Sequence, residues 1–388
     1  MKSQFLLNPE IVYLNHGSFG ACPKPIFEDY QKWQRELEAE PVQFIVKNAP
    51  KYLKESKIAL AKYINCQPKD FFFTTNPTFA INTIMRSLDL KPNDEILATN
   101  HEYGAMDRTW NFYCQKSGAK YVRQEISLPI VSKEQILAEF WNGYNSNTKV
   151  VFLNQISSAT ALIFPVKEIC ERSKELGLIT IIDGAHVPGH IDLDIEALDP
   201  DFYTGTLHKW MLAPKGSSFL YVRKEFQSKI DPLVVSWGYE SETPSGSQFL
   251  DYHEQQGTRD ISAFLTAPAA IQFLADNNWK QQSEVCKKVI LDNYERFCDL
   301  LKTKPICPVT SEFLGQMCSI PIQIENPSEL KELLFEKYKI EIPVMKAENK
   351  IFLRISIQAY NSQQDLDVLY SALEDIIATT DLLRFENA

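Results

Sequence analysis

From about residue 50 to residue 225 the chain alternates between two hydrophobic rhythms. Stretches with apolar residues three and four positions apart, such as Pro77 to Leu88 and Val166 to Leu176, read as helices with one buried face. Between them lie short β-rich runs, several of them nearly continuous in apolar residues, at Phe71 to Thr75, Glu95 to Thr99, Lys120 to Gln124, Val150 to Asn154, Leu178 to Ile182, Asp201 to Gly205 and Ser218 to Val222. Strands that are apolar on both faces are covered on both faces, so the pattern predicts βα units and a seven-stranded, mainly parallel sheet flanked by helices.

After Gln256 the rhythm becomes mostly helical. A long helix is predicted around Trp279 to Lys302, strands near Gln316 to Ile322 and Ile351 to Ile357, and a closing helix from about Ser362. The turn-forming run EQQGTRDIS marks the change. The expected organisation is an N-terminal segment over 1–20, a large α/β domain over 21–258 and a smaller α+β domain over 259–388.

Composition narrows the function classes. The chain has 388 residues and is 44% hydrophobic, enough for a substantial core in two lobes. A formal charge of −10 opposes general binding to nucleic acid or to an anionic membrane. No stretch approaches the roughly 20 apolar residues of a membrane span, and the N-terminus is a poor signal peptide. Eight cysteines are scattered without CxxC pairs, which fits reduced thiols in a cytoplasmic protein.

In open parallel sheets the loops beyond the carboxyl ends of the strands converge on the ligand. Two side chains there form the most informative pair. Asp183 of DGAH follows the run Leu178 to Ile182, and Lys209 of TGTLHKW follows Asp201 to Gly205. An amine and a carboxylate at one sheet edge match what pyridoxal phosphate needs, an imine partner for its aldehyde and a counter-charge for its ring nitrogen. Taken singly, an Asp is a helix cap or solvated loop residue and a Lys a surface residue, but Leu207, Trp210 and Met211 oppose a fully solvated lysine. His208 either supports the phosphate or is a satisfied polar residue.

The run TTNPTFAIN adds a phosphate candidate. Asn76 caps, Pro77 takes the first helical position, and Thr78 and Phe79 then present free amides at the positive helix end; an ordinary capped helix has the same signature. Tyr103 of HEYGA is either a stacking ring or a core plug. Arg354 of FLRIS, in an apolar strand, needs an anion, either a substrate carboxylate or an internal acid. His186 and His190 are separated by Pro188 and Gly189, which opposes a metal site, and no nucleotide-binding motif is present.

The set NHGSFG, HEYGA, DGAHVPGH, GTLHKW, GTRD and RISIQAYN resembles the class V aminotransferase family of fold-type I pyridoxal-phosphate enzymes, most of all its isopenicillin N epimerase-like branch. The resemblance runs from Tyr13 to Asn361. It implies that Lys209 forms the imine, that Asp183 pairs with the pyridine nitrogen, and that His186 lies beside the ring with Ser158 near the phenolic oxygen. Thr78, Thr206 and His208 would hold the phosphate, with Asn76 and Pro77 shaping that helix end. Gly257 and Thr258 would reach it from the partner subunit of a homodimer. Tyr103 would stack, and Arg354 would hold a substrate carboxylate, with Asn15 and His16 alongside. The run Ile340 to Lys350 lacks the nucleophilic cysteine of desulfurases. The resemblance therefore implies amino-acid epimerisation or racemisation, with C–S lyase chemistry and transamination as alternatives; a catalytically silent binding protein is the non-enzyme alternative, opposed by the retained Lys209, Asp183 and Arg354.

Overall fold

A computed structural model describes residues 1–383. Its centre is a seven-stranded sheet made of β1 (Phe71–Thr74), β2 (Glu95–Thr99), β3 (Lys120–Gln124), β4 (Thr148–Asn154), β5 (Ile179–Gly184), β6 (Phe202–Thr206) and β7 (Ser218–Val222), in the spatial order β1-β7-β6-β5-β4-β2-β3. Every pairing is parallel except those of β7, which runs against both neighbours. With β7 reversed, β1 and β6 still point the same way, so their carboxyl ends share an edge with those of β2, β4 and β5.

The continuous apolar runs are explained by two cores, one on each face. Along β4, Val150 and Phe152 enter one cluster while Val151 and Leu153 enter the other; successive strand side chains point to opposite faces. The helices Pro77–Ser87 and Gly104–Ser117 cover one face through Ile81, Ile84, Met106 and Trp110. The helices Lys24–Ala39, Ala49–Ile64 and Val166–Glu175 cover the other, through Ile26, Leu60, Ile64 and Ile169. Only β3, at the edge, is half exposed.

The C-terminal region carries a three-stranded antiparallel sheet of β8 (Met317–Ile322), β9 (Val344–Ala347) and β10 (Lys350–Ser356), ordered β9-β10-β8. The long helix Trp279–Leu300 and the closing helix Gln363–Thr379 supply its core. The latter begins where a capping box of Ser362 and Asp365 satisfies its first amides. One expectation changes here. The run Ile340 to Lys350, for which no strand was expected, contains Ile340–Glu341 and the hairpin strand β9, turning at Glu348 with φ 52°. Its Pro343 and its charged residues hide the alternation.

The N-terminus does not stand apart. Val12–Tyr13 pairs in parallel with Ile340–Glu341, and the Ser356 amide donates to the Leu14 carbonyl at 3.0 Å. This strip carries NHGSFG across to the large sheet. Gly20 has φ 69° and ψ 172°, a region open in practice only to glycine, and a Cβ there would lie 2.2 Å from the His208 carbonyl oxygen. Gly20→Ala is expected to cost on the order of 3 kcal/mol, visible as a lowered melting temperature and weakened cofactor retention. An unchanged melting curve would contradict this close packing.

Candidate active site

The site lies beyond the carboxyl ends of β5 and β6. Asp183, near the end of β5, is buried, and its carboxylate accepts the Ala185 amide at 2.9 Å. Lys209 follows β6 in a tight turn, and its Nζ lies 3.2 Å from His186 Nε2. Burial pushes the Lys209 amine below its ordinary pKa, the Arg354 charge adds to this, and Asp183 opposes it. Burial likewise pushes Asp183 up, against the Ala185 hydrogen bond and the lysine charge. His186 is held neutral chiefly by burial.

Arg354 reaches the same place from β10. Its guanidinium is 1% exposed and has no carboxylate partner among the described residues. Nη1 donates to the Ser158 carbonyl at 2.7 Å and Nη2 to Ser18 Oγ at 2.8 Å, with a longer contact to Asn15 Oδ1 at 3.5 Å, while Nε is buried without a partner. Burial lowers its pKa to about 10, so it remains a cation at neutral pH. Tyr103 is 47% exposed at the start of helix Gly104–Ser117, so it is not a core plug.

Thr206, Ser218 and Thr74 stand in register across β6, β7 and β1. The Thr206 hydroxyl is buried and has no hydrogen-bond partner. His208 donates from Nδ1 to the Ser217 carbonyl at 2.8 Å, leaving Nε2 free, and burial lowers its pKa to about 4. Beside this row begins the helix Pro77–Ser87. Asn76 caps it by accepting the Phe79 amide at 2.9 Å. This corrects the expectation that both Thr78 and Phe79 offer free amides: the cap consumes the second, and Thr78 retains its amide and hydroxyl for a ligand.

Two other placements differ from expectation. His16 is fully buried, with Nδ1 2.9 Å from the Tyr360 hydroxyl and Nε2 3.0 Å from the Lys209 carbonyl. Its ring braces the lysine turn and has no nitrogen left for substrate. Ser158 sits against Arg354 through its carbonyl and hydroxyl, so the structure joins it to the guanidinium. Gly257 and Thr258 are exposed, and a Cβ on Gly257 would meet only Ser236 Oγ, at 3.8 Å.

Two residues have roles that the sequence did not show: Trp210 was read only as an apolar flank of Lys209, and Glu102 was not singled out. Trp210 is fully buried and donates from Nε1 to His186 Nδ1 at 3.2 Å. Glu102, adjacent to Tyr103, is buried and accepts from Thr99 Oγ1 at 2.6 Å and the Asn154 amide at 2.8 Å. Asn154 is paired in register with Asp183, so Glu102 is tied to the strand that borders the site. Burial raises its pKa from 4.5 to about 8 despite those bonds, and Asp183 adds to the rise. A carboxyl raised in the folded state contributes stability that is present at low pH and is lost as pH rises from 4.5 to about 8. Glu102→Gln is therefore expected to flatten the fall in melting temperature over that window, at about 1.4 kcal/mol per pH unit. An identical pH profile in wild type and variant would contradict the burial argument.

These groups fit pyridoxal phosphate. The orphaned Thr206 hydroxyl, the free Nε2 of His208 and the Thr78 end of the helix suit a phosphate; the buried Asp183 suits a protonated ring nitrogen; Lys209 suits the aldehyde. Among the described residues no cluster of three His, Cys, Asp or Glu could hold a metal, and no helix is long and apolar enough to cross a membrane.

Known proteins place the fold in context. The sequence profile described as "Aminotransferase class-V" matches residues 12–369. An isopenicillin N epimerase of Streptomyces clavuligerus is 31% identical over 96% of this chain and 96% of its own. A probable chloroplastic L-cysteine desulfhydrase of Arabidopsis thaliana is 26% identical over 95% of this chain and 84% of its own. Among solved structures, a variant of C-DES with glycine covalently linked to its PLP cofactor superposes with a TM-score of 0.81, at 20% identity and covering 97% of this chain and 99% of that one.

Proposed function

The chain belongs to the aminotransferase class-V family and is a pyridoxal-phosphate-dependent enzyme, and we propose that it epimerises or racemises an amino acid or amino-acid derivative. The observation that carries the substrate class is Arg354, a buried guanidinium with an unpartnered Nε and no acid partner among the described residues. Leaving such a charge unpaired is costly, and a planar carboxylate answers its fork with two parallel hydrogen bonds.

When bound, the cofactor supplies an electron sink for the carbanion left by removal of the α-proton. The protein's own groups do the rest. Arg354 orients the substrate by its carboxylate, with Ser158, Ser18 and Asn15 holding the guanidinium. Lys209, whose amine is free nearer neutral pH than an ordinary lysine, takes the α-proton on its own face. Asp183 would hold a proton on the ring nitrogen through its negative charge, and that proton would in turn draw down the pKa that burial raised. His208 must carry a second proton to donate from Nε2 to a phosphate, so phosphate binding raises its pKa from about 4. Thr206 and Thr78 add hydroxyls, and His186 lies beside the lysine. Tyr103, which is exposed, is the proposed acid for the opposite face.

A second reading, C–S elimination from a cysteine derivative, is supported by the desulfhydrase likeness. A persulfide-forming desulfurase is not supported. The run Ile340 to Lys350 has no cysteine, and burial pushes the Cys22 thiol, within the field of Lys215, up to about 12. Incubation with D- and L-amino acids in deuterated water, followed by NMR, separates the two. Epimerisation yields α-deuterated substrate of both configurations; pyruvate and ammonia without α-deuterated substrate would favour elimination.

The exposed Gly257 and Thr258 support the further proposal of a homodimer in which they complete the partner copy's phosphate site. Thr258→Ala should then weaken cofactor retention in a dimer measured by sedimentation, and a monomer with intact retention would count against it. The unbridged cysteines support a reducing cytoplasmic setting.

A further inference from the structure

The hydrogen bonds around His186 have only one consistent set of directions. The indole nitrogen of Trp210 carries a hydrogen and has no lone pair to offer in the ring plane, so it can only donate. It lies 3.2 Å from His186 Nδ1, which must therefore be the unprotonated nitrogen. The ring is buried and neutral, so its single hydrogen is on Nε2, and that nitrogen faces Lys209 Nζ at 3.2 Å. An N–H facing an ammonium would set donor against donor. The pair is satisfied only when Lys209 is a free amine that accepts.

The indole is not free to turn away. Trp210 is fully buried, stacked on His190 at 4.0 Å and flanked by His16 at 4.9 Å. His190 in turn donates from Nδ1 to the His186 carbonyl at 2.9 Å and accepts the Gln316 amide at Nε2. Gly189 lets the Trp210 carbonyl approach, since a Cβ there would lie 2.4 Å from it. Both the ring and the backbone of His186 are thus held by a rigid layer behind the lysine turn.

We propose that Trp210 is a positioning residue that locks His186 as the Nε2–H tautomer and through it holds Lys209 as the free amine competent to bond the cofactor aldehyde. The proposal rests on Lys209 being the attachment point. In that bond formation the amine lone pair attacks the aldehyde carbon, C=O is replaced by C=N, and the oxygen leaves as water with both amine hydrogens. An ammonium must first lose its extra proton to solvent. Besides His186, Lys209 lies in the field of Arg354 on β10 and Asp183 on β5, and interacts with His16 from the N-terminal helix and His208 from its own turn. Arg354 favours the same neutral amine and Asp183 opposes it.

Apo-protein mixed with pyridoxal phosphate provides the test. Attachment is followed by visible absorbance and by mass after borohydride trapping, across neutral to alkaline pH, in wild type and Trp210→Phe. Without the indole N–H, His186 can present a lone pair to the lysine and stabilise its ammonium. The variant should load about tenfold more slowly at neutral pH, corresponding to one pKa unit, and match wild type at alkaline pH where the amine is free regardless. Equal slowing at every pH, or no slowing, would overturn the proposal. Should the variant fold poorly, ¹⁵N NMR of the histidines in wild-type apo-protein decides instead: a hydrogen on His186 Nε2 supports the lock and a hydrogen on Nδ1 overturns it. A wild type whose trapped mass is not on Lys209 would defeat the attachment reading itself, while the NMR result would still report on the tautomer.

Discussion

Lys209→Ala is expected to produce a folded protein that binds pyridoxal phosphate without fixing it, leaving no borohydride-resistant mass and no yellow colour after dialysis. Two functions are lost at once. The covalent anchor goes, and so does the base positioned for the α-proton, whose removal alone costs typically 10²–10⁴-fold. Turnover should therefore fall by at least about three orders of magnitude. The fold should survive, because the side-chain amine makes one hydrogen bond, to His186, and its burial carries a desolvation penalty that the substitution removes. The phosphate groups remain, so added cofactor should still raise the melting temperature. A variant that retains trapped cofactor would show that another lysine is the anchor and dismantle the site as assigned.

The two-core sheet was legible because its strands carry the signature of burial on both faces. Phe71 to Phe73 and Ile96 to Ala98 are unbroken apolar stretches, and the strands that contain them are buried throughout. Local chemistry also carried through: Asn76 and Pro77 start one helix and Ser362 another, because capping depends on residues a few positions apart. Asp183 and Lys209 were readable as a pair because one lies near the end of a strand and the other just past the neighbouring strand of one mainly parallel sheet.

Contacts between distant segments were not readable. Val12–Tyr13 joins Ile340–Glu341 across more than three hundred residues, and neither two-residue strand has a periodicity to detect. That pairing brings His16 under Lys209 and Ser18 and Asn15 to Arg354, which explains why His16 looked like a substrate contact beside a motif whose members are partly structural. Glu102 and Trp210 were hidden for a different reason. Each stood next to a residue with a more obvious role, and their importance lies in burial and in the direction of one hydrogen bond, neither of which has a sequence signature.

The second large effect is expected at Arg354→Met, which should separate substrate binding from stability. In the wild type the guanidinium is buried with no anion partner among the described residues, held by Ser158, Ser18 and Asn15. Two charge-assisted hydrogen bonds to a carboxylate, at about 1.5–3 kcal/mol each, predict a fall in kcat/KM of at least about 10²-fold. Most of it should appear in KM if the contact is equal in the ground and transition states. Stability moves the other way or not at all. Replacing a buried, unpaired charge by an apolar chain of similar length relieves its desolvation, while the Ser158 carbonyl and Ser18 hydroxyl lose a donor, so the net change in the apo-protein should lie within about 2 kcal/mol. The yellow colour should persist, because the residues that fit the cofactor lie on β5, β6 and the helix after β1. Loss of colour would assign Arg354 to the cofactor; unchanged affinity for the amino acid would mean that the carboxylate is held elsewhere and that the buried charge answers another anion.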